Sequence, residues 1–105
     1  MPSSNQRFEE VLKQKIAEFV QREAGPASLM TVTRVITDDK RKFITIFFTT
    51  LPEEKQKTAL VFLNRKRSEL ISYLKEHTRM RAIPGIRFEI DYGERNRQQI
   101  DSLLQ

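Results

Sequence analysis

Apolar residues recur at spacings of three and four through Phe8, Val11, Leu12, Ile16, Phe19 and Val20, which puts them on one side of a helix. Ser3, Ser4 or Asn5 is placed to cap its start. Gly25 and Pro26 stop it near Ala24, because glycine accepts the left-handed conformation and proline cannot continue the helix. The period then changes. Residues 29–37 (LMTVTRVIT) and 42–50 (KFITIFFTT) are rich in β-branched and aromatic types in rough alternation, and predict two strands. Only Asp38-Asp39-Lys40-Arg41 lies between them. That is enough for a hairpin and too little for the crossover of about a dozen residues that parallel strands need, so antiparallel neighbours are expected.

Thr50 with Glu53 three residues on reads as a capping box, with Pro52 tolerated in the first turn of a second helix. The apolar set Ala59, Leu60 and Leu63 resumes as Leu70, Ile71 and Leu74 only after residues 64–68, where Asn-Arg-Lys-Arg-Ser offers nothing to a core. A kink or break is expected there, with Ser68 capping a third helix that runs to about His77. Pro84-Gly85 reads as a turn, after which Ile86, Phe88 and Ile90 alternate with Arg87, Glu89 and Asp91 in the manner of a half-buried strand. Beyond Gly93, Ile100, Leu103 and Leu104 share one face of an amphipathic tail (93–105), too short to be stable unless it packs on something. With no repeat or linker, residues 1–105 read as one domain. Its class is α+β, a three-stranded sheet with helices packed on one face. The type II KH domain has this order of elements.

Composition narrows the chemistry. The 105 residues include no Cys, which removes disulfides, thiolate nucleophiles and cysteine-based zinc sites. No stretch approaches the roughly 18 apolar residues that spanning a membrane requires, and the amino terminus lacks a signal-like apolar segment. A soluble, cytoplasmic protein with no membrane partner is the expectation. The formal net charge is +5, yet residues 55–87 alone hold nine basic residues against two acidic ones, a surplus of seven, so the remainder is negative. Such a concentration suits a polyanion, because each Lys or Arg set on a phosphate releases a condensed counterion. A solvated helix surface would carry the same charges.

The run from Leu63 to Asp91 also carries a family likeness: a leucine-bearing basic helix ending in Leu70 and Leu74, Arg79-Met80-Arg81 leading to Pro84, Ile86-Arg87-Phe88 leading to Asp91, and Glu94-Arg95 ahead of Ile100, Leu103 and Leu104. In order and spacing this resembles the ribosome-binding factor A family, over nearly the whole chain. The resemblance implies a KH-like, monomeric, non-enzymatic assembly factor. Such a factor binds the small ribosomal subunit and its 16S-type rRNA and assists late subunit maturation, notably in the cold. The family interrupts its two central helices with an Ala-x-Gly segment, whereas Lys66-Arg67-Ser68 stands here. On this reading Arg65, Lys66, Arg67, Lys75, Arg79 and Arg81 form the principal rRNA face, with Arg87 at its edge.

Catalysis finds few candidates. His77, the single histidine, stands at a helix end where carbonyls or solvent are its ordinary partners. Asp38-Asp39, or Glu89 with Asp91, offers two carboxylates where calcium prefers six or more oxygens. A metal-dependent nuclease built on the acidic turn is the weakest reading. Three glycines form no phosphate-cradling loop. No catalytic residue, metal, cofactor or small-molecule substrate is therefore expected. Phe43, Phe47, Phe48, Phe62 and Tyr73 are candidates for stacking on bases, although core packing is the usual fate of phenylalanine. The competing function is a protein-interaction module that docks through Ile100, Leu103 and Leu104.

Overall fold

The computed structural model describes residues 4–25, 29–38, 40, 42–80, 82–83 and 85–93. Expectations that rest on Ser3, Pro26, Asp39, Arg41, Arg81, Pro84 or the tail from 94 onward lie outside the described residues. Helix α1 (Ser4–Ala24) ends where the sequence stops it, with Gly25 at φ +79°. Leu12, Ile16, Phe19 and Val20 are buried along one stripe. Val11, expected with them, is half exposed. It stands about 100° round the helix from Leu12, on the rim of a shallow groove with Phe8, Thr78 and Met80.

Strands β1 (Leu29–Thr37) and β2 (Phe43–Leu51) pair antiparallel, and β3 (Gly85–Ile90) lies parallel to β2 on its other side, giving the order β1-β2-β3. Asp38 closes the hairpin: its Oδ1 accepts the amide N–H groups of Lys42 (2.5 Å) and Phe43 (3.1 Å). A bulge interrupts β1, where Val32 faces Phe48 and Arg34 faces Phe47, leaving Thr33 as the extra residue. Because of it, Val32 and Val35 face the same way although three positions apart. Across the sheet Val35, Ile46 and Phe88 align, as do Thr37, Ile44 and Ile86, all buried.

Helix α2 (Gln56–Arg65) lies against β3, α1 covers β1, and α3 (Arg67–His77) packs on α1. Ala59, Leu63, Leu70, Tyr73 and Leu74 complete the core that these helices share with one face of the sheet. The α+β, KH-like arrangement expected from the order of elements is the one observed. Thr37 is buried with both its N–H and its Oγ1 donating to Glu9 Oε2 of α1, at 2.6 and 3.1 Å. No buried side-chain polar atom among the described residues lacks a partner.

Two local expectations are corrected. Thr50 belongs to β2 and donates its hydroxyl to the Pro52 carbonyl at 3.0 Å, so the capping box with Glu53 does not form. A 3-10 turn (Glu53–Lys55) without a side-chain cap intervenes, and α2 starts at Gln56. The break between α2 and α3 is present but is one residue long. Lys66, at φ −91° and ψ 4°, donates its N–H to the Phe62 and Leu63 carbonyls and accepts the Leu70 N–H. The backbone closes the break itself, and Ser68 sits inside α3 instead of capping it.

Candidate nucleic-acid interface

Arg65 occupies the last turn of α2, Lys66 the break and Arg67 the start of α3, so three consecutive cations stand at the junction. Two have local partners. Lys66 Nζ lies 3.2 Å from Glu69 Oε2 and 5.8 Å from the centre of the Phe62 ring. Arg67 donates from Nη2 to Asn64 Oδ1 at 2.6 Å, while Arg65 is exposed. Lys66 to Glu69 is a one-turn pair between a half-buried lysine and an exposed glutamate, worth about 1 kcal/mol or less, so an arriving phosphate competes with it.

Along α3 the positions turned away from Leu70, Tyr73 and Leu74 include Ser68, Ser72 and Lys75, all exposed, with the exposed carboxylates Glu69 and Glu76 flanking them. Lys75 lies about 12 Å along the axis from Arg67, eight residues at 1.5 Å each. Arg79, past the end of α3, is exposed on the groove that Val11 borders. Arg81 lies outside the described residues. Arg87 departs from the set: in β3, Ile86 and Phe88 point to the helices, so Arg87 points to the opposite face of the sheet. There its guanidinium stands 5.8 Å from the centre of the Phe43 ring. It is not at the edge of the helical surface.

Of the five aromatic candidates, Phe48 and Tyr73 are core residues, Phe62 is half-buried, and Phe43 and Phe47 lie on the open side of the sheet. Tyr73 is fixed by four neighbours. Its ring lies 5.5 Å from that of Phe19 and stacks at 4.0 Å on His77, its hydroxyl donates to Glu18 at 3.2 Å, and Arg22 sits 4.9 Å from its centroid. Burial and the adjacent Glu18 carboxylate push its hydroxyl above the usual 10.0. His77 Nδ1 lies 2.9 Å from the Tyr73 carbonyl, the helix-end partner expected of it.

Two of the acidic candidates have structural partners. Asp38 shapes the hairpin, and Asp91 accepts the Thr33 hydroxyl at 2.5 Å and the Gly93 N–H at 2.9 Å. Among the described residues no three His, Asp or Glu gather as metal ligands, and no helix is long and apolar enough to cross a membrane. Sequence reasoning missed Arg34, which lies 5.9 Å from the Phe47 ring centre. Its signal was a lone cation inside a β-branched strand.

The pattern that defines ribosome-binding factor A matches residues 4–104. The chain belongs to the ribosome-binding factor A family. A ribosome-binding factor A of Coprothermobacter proteolyticus is 25% identical over 92 residues, which span 86% of this chain and 67% of that protein. The crystal structure of the Thermus thermophilus factor superposes with a TM-score of 0.74 at 27% identity, covering 84% of this chain and 97% of that one. A homology model of the T. thermophilus factor, fitted into a cryo-electron-microscopy map of a 30S–RbfA complex, matches with a TM-score of 0.66 at 26% identity over 79% and 90% of the two chains. Ribosome-binding factor A proteins thus share the α+β frame on which the basic junction is mounted.

Proposed function

We propose that this protein is a cytoplasmic ribosome assembly factor that binds the small ribosomal subunit and its 16S-type rRNA, and assists late maturation of that subunit. It acts as a monomer, without catalysis, cofactor or small-molecule substrate. Family membership over residues 4–104 carries this reading, and the fitted 30S–RbfA complex of a relative supports the choice of subunit. The helix junction is the part of the fold suited to the task. A one-residue break sets three consecutive cations at the junction of α2 and α3, and the exposed serines of α3 leave a backbone room to approach Lys75.

Arg65, Lys66, Arg67, Lys75, Arg79 and Arg81 are assigned as the principal rRNA contacts. Their work is positioning through phosphates, which carry affinity and salt dependence rather than sequence discrimination. Co-sedimentation of the full chain with isolated small subunits tests the assignment. Replacing Arg65, Lys66 and Arg67 together by Ala is expected to abolish co-sedimentation at about 0.15 M salt while leaving the thermal transition in place. Undiminished co-sedimentation would instead favour docking through Ile100, Leu103 and Leu104.

A further inference from the structure

We propose that the open face of the sheet is a second RNA-contact surface, which stacks unpaired bases on Phe43 and Phe47 and meets their phosphates with Arg87 and Arg34. It lies across the sheet from the helices, so it is additional to the junction assigned above. The choice of RNA as occupant rests on that proposed function.

Two ring–guanidinium pairs are built into this face. Phe43, the first residue of β2, is 52% exposed, and Arg87 stands 5.8 Å from its ring centre. Phe47, two outward positions further along β2, is half-buried, with Arg34 at 5.9 Å. Both distances fall within the reach of a cation–π contact, about 6 Å. Four residues of strand separate the rings by about 13 Å, and the outward residue between them is Thr45, whose hydroxyl is a hydrogen-bonding group.

Gly85 sets the pose of the first ring. It is the Cα partner of Phe43, and a Cβ placed there would come within 2.9 Å of the ring's Cδ1 and 3.0 Å of Cε1. The missing side chain lets the ring lie down over β3, where a base has a flat surface to meet. A stacking platform needs a ring held in one pose and a nearby cation for the backbone, and both are present at Phe43.

Charge and texture favour RNA over protein. A protein-binding patch of this size is expected to be a continuous apolar area, but here Thr45 lies between the rings and two arginines border them, with Ile36 beside Thr45 as an aliphatic neighbour. The outward carboxylate of β3, Glu89, faces Phe47, so the Phe43–Arg87 pair is the stronger position.

Fluorescence anisotropy of the full chain with a labelled oligouridine dodecamer tests this, together with NMR of the phenylalanine ring signals. Phe43→Leu is expected to weaken binding about fivefold or more, Phe47→Leu by less, and Phe43→Tyr not at all. Gly85→Ala, which displaces the ring, is expected to follow Phe43→Leu. In the unaltered chain the Phe43 and Phe47 ring signals should shift as oligonucleotide is added, a readout that stands even if a variant fails to fold. Unshifted ring signals, or equal affinity for Phe43→Leu and the parent, would overturn the proposal. Ring shifts that follow protein concentration without oligonucleotide would overturn it in favour of contact between copies. The triple Ala variant at Arg65, Lys66 and Arg67, run in parallel, separates the surfaces. Loss in that variant alone overturns the sheet-face proposal and leaves the junction standing. Loss in the ring variants alone supports the sheet face and counts against the junction.

Discussion

The two faces of β2 are made of similar residues and do different work. Inward, Ile44, Ile46, Phe48 and Thr50 are buried beneath the helices; outward, Phe43, Thr45, Phe47, Thr49 and Leu51 face a side on which none of the described helices packs. Phe47 and Phe48 are neighbours in sequence, yet one is a surface ring beside an arginine and the other is core. Residue type does not separate them. What separates them is which side the helical layer covers, since a single-residue shift of register would exchange the two sets.

That contrast is breakable. Phe48→Ala is expected to cost about 3–5 kcal/mol, from lost transfer energy and the cavity left behind. Phe47→Ala is expected to cost less, about 1–2 kcal/mol, because the ring is only half-buried. Urea denaturation of the two variants measures the difference, and equal costs would mean that the open face is covered in solution. The next effect belongs to the edge of the buried layer. Glu9→Ala strips the Thr37 N–H and hydroxyl of their acceptor, and is expected to cost about 1–3 kcal/mol in the same assay.

Two smaller effects sharpen the comparison between the open surfaces and the packed helices. Removing the three junction cations should flatten the dependence of log affinity on log salt by about 2–3, close to one for each phosphate that is no longer neutralised. A slope unchanged from the parent would place the phosphates elsewhere. Smallest is a pH effect at Tyr73. Burial and Glu18 raise its hydroxyl pKa above 10.0 in the folded chain, so the unfolded chain loses that proton first. The stabilisation is complete below pH 10 and is lost as pH rises through the folded value. Tyr73→Phe should therefore flatten the alkaline decline of the urea midpoint above about pH 10, with little change at neutral pH.

Several elements were legible because local physics decides them. The stripe of α1, the stop at Gly25, the hairpin and the alternation of β3 all follow from period, turn chemistry and loop length. The break at Lys66 was legible as five positions without a core residue. Its closure by backbone hydrogen bonds was not, because a helix can be interrupted at one residue without any capping side chain. Thr50 misled for a related reason: a hydroxyl that could have accepted the Glu53 N–H as a cap instead donates to the Pro52 carbonyl from the end of β2. Among the candidate site residues, Arg65, Lys66 and Arg67 stand together simply because they are adjacent in the chain. Arg87 groups with them by sequence proximity and charge, but strand alternation sends it to the far side of the sheet. Arg34 escapes a reading along the chain because its partner, Phe47, comes from another strand.

The sequence by itself determined the order of elements, the α+β class, the basic second half and the family, since each is written in periodicity, composition or the spacing of motifs along one chain. Only the tertiary structure decided which phenylalanines are core, where the bulge at Thr33 resets β1, and that the cations divide between the helix junction and the open sheet. Those outcomes depend on contacts between residues distant in sequence, and a strand exposes or buries a side chain according to what packs against it.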